Sequence, residues 1–490
     1  MQNKTVAYYP TNCNRQLFMP PLAEYGILHL YLLTGSDLFS GLIQFFSFIT
    51  CIIGSVHIYN LLPNSKKELS FVVAAITSFI PAAILQASTT QTDLIAASWL
   101  VIFVYFTILS FQEDDKYIYF YQGLALGLGY LTKQNVIIYA IPFISWQLLV
   151  ICRKKKYKLI LFLLLVGIIA VSINVPQWVR NKSEFGSIHG SRTAANRNSC
   201  FKPQALSSNF IRGISSHLGA RPHYINKLTE KTIKFIHKYI LHFDVHDKRT
   251  TKSETWEAVD LSMHEDIAGN PLHLMLFASA VLIIFLKPRL RKKYLPYVLS
   301  IIVAYALFCF LLKWSPFRHR LHLPIFVLMS PVITLAFTGL NKKLLKSIVI
   351  LLFCYSLPYI LLARRAPYLP LWSDRSSVFQ MSRDSLRFIH RPELFDVYLN
   401  AVKVIESENI KKMGLRIGGN SWEYPIHSLL HERNKTIQIQ HVTPDNSVQE
   451  WAEAIFYIDV QISNNDERKY INLGKGCFLW IKKIKNNENS

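Results

Sequence analysis

Acidic residues are scarce in this chain: 31 Asp and Glu stand against 54 Lys and Arg in 490 residues, a formal net charge of +23. Cysteine is scarce as well, with seven residues, no CxxC and no metal-type spacing, which excludes zinc-finger and thioredoxin-like readings. There is no internal repeat and no low-complexity tract. A charge of this size suggests nucleic acid, but the basic residues are divided between short loops and one long loop rather than gathered on a stripe. That distribution argues against a nucleic-acid partner, and topology anchors attracted to anionic lipid headgroups account for the inside loops.

Long apolar runs are what the chain has in abundance. They lie near 38–62, 70–87, 94–111, 118–131, 135–152, 158–179, 271–286, 295–312, 322–339 and 345–363. A helix crossing about 30 Å of hydrocarbon needs roughly 20 such residues, and most of these runs approach that length. Every second break is short and basic: Lys66-Lys67, the weaker Gln112–Tyr117, Arg153–Lys158, Lys287–Lys293 and Lys342–Lys346. Positive loops stay cytoplasmic, so segments 1–37, 86–93, 131–135, 180–270 and 313–322 share the opposite face. Cys51, Cys152, Cys309 and Cys354 fall in spans as small apolar fillers, while Cys13 and Cys200 fall outside, where they could pair.

From about Ala363 the apolar runs shorten and charge rises. Alternating segments at Gly414–Gly418, Thr436–Val442, Ala454–Val460 and Cys477–Lys483, with helical spacing over Glu393–Glu408 and Trp422–Arg433, predict a small α/β domain. The fold expected is an all-α polytopic membrane protein of about ten spans over 1–363, with a large outer loop at 180–270. A C-terminal α/β extracytoplasmic domain over 364–490 completes it.

The polar residues of the outer face supply the candidates. Asp93 opens a span, where a carboxylate is costly unless it is paired, hydrated or metal-bound; as an alternative, Thr92 or Asp93 caps the following helix. Glu24 follows Pro20-Pro21 in the first turns of a helix, a favourable dipole position that needs no chemistry. Arg15, Lys133, Arg180, Arg318, His319 and Arg320 lie on the same face. Arginine's planar fork suits a phosphate; snorkelling to headgroups accounts for Lys133 or Arg180 taken singly, but less well for the 318–320 cluster. Glu265, Asp266 and Asn270 precede a span, where they could bind a metal or sugar hydroxyls, and Asn270-Pro271 reads as a helix cap.

The order PPLAEY, TQTDL, LGLGYLTK, VPQWVRNKSEFGS and RHRLHLPIF, covering roughly residues 10–340, resembles bacterial membrane glycosyltransferases of the protein mannosyltransferase-like family, to which lipid A aminoarabinose transferases are related. HEDIAGNPLH and the Ser421–His427 segment look typical of one bacterial branch. The resemblance implies a GT-C helical bundle in the bacterial inner membrane, with its catalytic face and C-terminal domain on the periplasmic side. A sugar would pass from a polyprenyl-phosphate donor to a glycan, lipid or protein acceptor, with inversion. A carboxylate would act as base, and arginines or a divalent metal, Mg or Mn, would hold the donor phosphate, with Asp93 as metal ligand. Asp93 matches the family's second acidic position and Arg180 the arginine closing its span. Met19 stands where a lysine often precedes the prolines. The family's first span and first-loop acid have no counterpart ahead of PPLAEY, which implies a shortened N-terminus and puts activity in doubt; without that acid, Asp93 or Glu24 would have to serve as base.

Two other classes are carried alongside. A transporter or flippase of lipid-linked sugars would show repeats and midplane charges, whereas here the acids cluster at span ends. A non-catalytic membrane subunit would tolerate Asp93→Asn.

Overall fold

The computed structural model describes residues 7–190, 196–365, 367–369, 376–419, 421–433, 436–443, 448–460 and 469–482. Two compact units divide the chain: Pro20–Trp372, and Met1–Met19 together with Ser373–Ser490. The division near 372 lies close to the composition change, but the N-terminal segment joins the far end of the chain. Hydrogen bonds explain this. Asn12 Nδ2 donates to Ile417 O at 3.0 Å, and Gln16 Nε2 donates to Glu423 Oε2 at 2.7 Å. Cys13 of the smaller unit and Cys200 of the larger one are both free thiols.

The larger unit is helical: α1 (Leu22–Thr34), α2 (Leu42–Leu61), α3 (Ser70–Ser78), α4 (Pro81–Gln86), α5 (Asp93–Leu109), α6 (Lys116–Thr132), α7 (Val136–Arg153), α8 (Leu159–Phe185), α9 (Pro203–Ser215), α10 (Tyr224–Ile236), α11 (Pro271–Leu286), α12 (Pro288–Leu311), α13 (Leu323–Phe337) and α14 (Lys342–Leu361). Among the described residues, six helices are long and apolar enough to cross a membrane: α2, α7, α8, α12, α14 and His319–Phe337, which contains α13. α5 and α11 are apolar but shorter. The 70–87 run is broken into α3 and α4, because Pro81 favours an extended residue before it and Ile80 adopts that conformation.

Packing follows from residue size. Every residue of α13 is buried, and α13 packs against α2, α3, α5, α11 and α12 as the centre of the unit. Helices α6 and α8 approach closely through Gly123 and Gly127. A Cβ added to Gly127 would lie 2.7 Å from Ile173 Cδ1 and 3.0 Å from Ala170 Cα. Small residues one turn apart allow such contact where lipid offers no hydrophobic drive. Side chains add polar ties. Gln122 Nε2 donates to Thr107 Oγ1 and to Gln147 Oε1, both at 2.8 Å, and Gln147 Nε2 donates to Ser110 Oγ at 2.8 Å. These bonds join α5, α6 and α7.

The basic loops meet one another. Gln112 Nε2 donates to Leu61 O at 2.7 Å, Lys154 Nζ to Phe111 O at 2.7 Å, and Tyr294 Oη to Pro63 O at 2.6 Å; Lys156 pairs with Asp114. Four of the five loops therefore gather at one end of the helices, as the charge alternation requires. Asp93 stands at the opposite end of α5, about 25 Å away by helical rise.

The smaller unit is a five-stranded sheet in the order β2-β1-β3-β5-β4. Its strands are β1 (Lys412–Ile417), β2 (Gln438–His441), β3 (Ala454–Ile458), β4 (Tyr470–Gly474) and β5 (Cys477–Ile481), with helices α15 (Phe395–Ser407) and α16 (Tyr424–Arg433). β1 runs parallel to β2 and β3, whereas β5 is antiparallel to both β3 and β4. The core joins Phe388, Tyr398 and Ile405 to Leu415, Phe456 and Leu479. Strand β4 was not anticipated. Gly474 and Gly476 adopt φ of 85° and 73° and turn it into β5.

Candidate functional site

Asp93 begins α5 and is 1% exposed. It does not cap its own helix. Gln44 on α2 takes over part of that work, its Oε1 accepting from Ile95 N at 3.1 Å. Thr92 makes no capping bond with its side chain. The Asp93 carboxylate is thus directed elsewhere: Lys133, just past the end of α6, hydrogen-bonds to Oδ1, and Arg320 Nε lies 3.8 Å from Oδ2.

Arg320 continues the network. Its Nη1 donates to Gln91 Oε1 and, at 2.5 Å, to Asp266 Oδ1. Gln91 Nε2 donates to the same Asp266 oxygen at 2.9 Å. The cluster therefore unites the start of α5, the end of α6, the turn before α11 and the turn before α13. Two carboxylates and two cations compensate one another, which a buried charge requires.

Other sequence candidates divide. Glu24 is near enough to Lys133 for their charges to couple. Although Glu24 keeps an exposed surface, desolvation raises its carboxyl from the ordinary value, and Lys133 opposes that shift. Arg180 Nη2 donates to Gln177 Oε1 at 2.5 Å and reaches Tyr25 Oη at 3.4 Å, which brings α8 beside α1. Arg318 turns away: it donates to Asn196 O at 3.1 Å and Asn196 Oδ1 at 2.9 Å, bracing the outer loop. His319 and His322 are buried; His322 Nδ1 and His217 Nε2 lie 3.0 Å apart, within one hydrogen bond. Of the 318–320 cluster, only Arg320 joins Asp93. Arg15 is exposed and belongs to the smaller unit.

The residues before α11 also part company. Asp266 joins the network, whereas Glu265 is buried with Arg365 Nη1 at 3.8 Å from its Oε1. Asn270 has Pro271 at the first helical position, as expected, but its side chain caps a different helix. Its Oδ1 accepts from Ala82 N at 3.1 Å, in the first turn of α4. The break at Pro81 creates that exposed amide end, and Asn270 satisfies it.

The surroundings of Asp93 fit a divalent metal poorly. Mg and Mn take several oxygen ligands, but an ammonium and a guanidinium already flank this carboxylate. Sequence reasoning missed Gln91, although it stands two residues before Asp93, and Tyr25, next to Glu24. It also missed Arg212, which is fully buried and ties the outer loop together by donating to Val245 O at 2.6 Å and Thr250 Oγ1 at 2.8 Å. Nothing in a lone arginine within a polar loop signals such burial.

Long apolar helices with a charged network at their ends define a multi-pass membrane protein. Residues 19–179 match the family described as dolichyl-phosphate-mannose-protein mannosyltransferase, a segment containing Glu24, Asp93 and Lys133. This match supports a membrane glycosyltransferase of the GT-C type. No curated protein matches the chain.

Proposed function

We propose that the protein transfers a sugar from a polyprenyl-phosphate donor to a glycan, lipid or protein acceptor on the periplasmic face of a bacterial inner membrane. In this reading about ten spans carry the site, and the C-terminal domain lies on the same side. The observation that carries it is the Asp93–Lys133–Arg320–Asp266 network at the ends opposite the basic loops. A donor phosphate at headgroup depth needs fixed cations, and this network holds two of them in place.

The roles follow from the geometry. Asp93, held between two cations, serves to position Lys133 and Arg320. Those two groups stabilise the negative charge that builds on the departing lipid phosphate. Glu24 draws the proton from the acceptor hydroxyl, its raised carboxyl pKa bringing it toward working pH. Arg180, held by Gln177 and beside Tyr25, takes free oxygens of the donor phosphate. No metal is needed for these steps.

Sugar transfer from a polyprenyl-phosphate donor in detergent tests the reading, because transport alone gives no signal there. Glu24→Gln is expected to lower kcat by about 10²–10⁴, and Arg320→Met by about 10²–10³. Asp93→Asn strips Lys133 of its counter-charge, leaves Arg320 with Asp266 alone, and is expected to abolish transfer. Full transfer by Glu24→Gln would remove the base assignment. Unchanged transfer by Asp93→Asn would remove the network from the reaction, and no transfer by the wild type would favour a transporter or a non-catalytic subunit.

A further inference from the structure

The Ser421–His427 segment has no part in the membrane-end network, yet it builds a second cluster within the smaller unit. Glu423 precedes α16, His427 lies one turn further along the same helix, and His441 ends β2. Both imidazoles aim Nε2 at one carboxylate oxygen: His441 at 2.6 Å from Glu423 Oε1 and His427 at 3.5 Å from it. The three ligand atoms all lie within 4.8 Å of one another. The glutamate and first histidine are four residues apart on a helix face, and the strand end supplies the third group.

The surroundings orient this set. Gln16 Nε2 donates to Oε2 of Glu423 at 2.7 Å, and Tyr9 Oη donates to Gln16 Oε1 at 2.9 Å. Oε1 is thereby turned toward the histidines. The Tyr9 ring stands against the His441 imidazole, with centroids 5.1 Å apart. Hydrogen bonds to the far atoms of metal ligands are what fix ligand orientation. The location is also apt, since parallel strands β1 and β2 end here and α/β sheets bind ligands beyond their carboxyl ends.

We propose that Glu423, His427 and His441 form a binding site for a divalent transition metal ion, with Zn²⁺ as the fitting member. Two imidazoles and one carboxylate make a zinc-type set that leaves a fourth position open, while hard ions such as Mg²⁺ prefer all-oxygen surroundings. The ion would join α16 to the end of β2 and, through Gln16, hold the N-terminal segment on the sheet.

The test uses the full chain in detergent, stripped with a chelator and titrated with Co²⁺, whose visible absorption reports tetrahedral nitrogen and oxygen ligation, followed by Zn²⁺ competition. Wild type is expected to bind about one ion per chain and to gain thermal stability in the smaller unit from it. His427→Gln, at a partly exposed helix position, should abolish the absorption band while the apo protein melts as wild type does. Gln16→Ala should weaken Zn²⁺ binding by about tenfold, the lower end for an outer hydrogen-bond partner. Absence of the band in wild type, or the same band in the His427→Gln/His441→Gln double variant, would overturn the proposal and leave the three groups as a hydrogen-bonded acid–base cluster.

Discussion

Helix α8 and strand β3 bury opposite kinds of residue. Along α8 the exposed large apolar residues are Leu161, Leu164, Ile168, Val171, Val175 and Val179, whereas Asn174, Gln177 and Asn181 are among its few buried residues. In β3 all five residues, Ala454–Ile458, are buried. The exposed stripe on α8 recurs at three- and four-residue intervals, the spacing of one helix face. A water-facing helix would turn that stripe inward. The larger unit therefore expects lipid around it, and its cohesion comes from close backbone approach and polar ties. The smaller unit is held by apolar area removed from water.

The contrast predicts different costs for similar changes. Phe456 is fully buried in β3, and its ring meets Tyr398 edge-on with centroids 5.3 Å apart. Phe456→Ala is expected to destabilise the smaller unit by about 3–5 kcal/mol, read as lost hydrogen-exchange protection of the sheet amides in the full chain. A loss near zero would mean that the sheet is not held by this core. Gly127→Leu comes next. Its side chain would meet both Ile173 and the α8 backbone, and backbone cannot rotate away as a side chain can. The expected cost is about 1–3 kcal/mol, seen as a lower unfolding midpoint in mixed-detergent titration of the larger unit.

Much of this architecture was legible in the residues. Basic loops at alternate breaks anticipated the end where Gln112, Lys154 and Tyr294 reach neighbouring loops. Four strands and two helices of the tail were anticipated to within a few residues, because β-branched and aromatic alternation is strong there. The missed β4 reads Tyr470-Ile-Asn-Leu-Gly474, short and polar in its middle, and only the Gly474-Lys475-Gly476 turn announces it. At the site, Asp93 and Lys133 were individually suspect, but their pairing was invisible. It depends on α5 and α6 being antiparallel neighbours, which places residues 40 positions apart side by side. The capping of α4 by Asn270 was hidden for the same reason: a sequence shows which residue can cap, but not which helix end packing will bring to it.

The smallest expected effect is the sharpest check on the comparison itself. Leu164 is 59% exposed on α8. In a water-soluble protein such a residue contributes little; in lipid it also contributes little, since acyl chains are as apolar as leucine. Leu164→Ala is therefore expected to change stability by less than about 0.5 kcal/mol, as for an ordinary surface position. The discriminating variant is Leu164→Asp. On a face turned to water, Asp would be tolerated as readily as Ala. On a lipid-facing helix it costs up to about 2.5–3.5 kcal/mol, the value at the bilayer centre on the insertion scale, and the protein should insert poorly or unfold at lower detergent stress. Equal behaviour of the two variants would break the assignment of this stripe to lipid. A large loss from Leu164→Ala alone would instead show that another protein surface covers it, because only a packed partner leaves a cavity when a leucine is cut back.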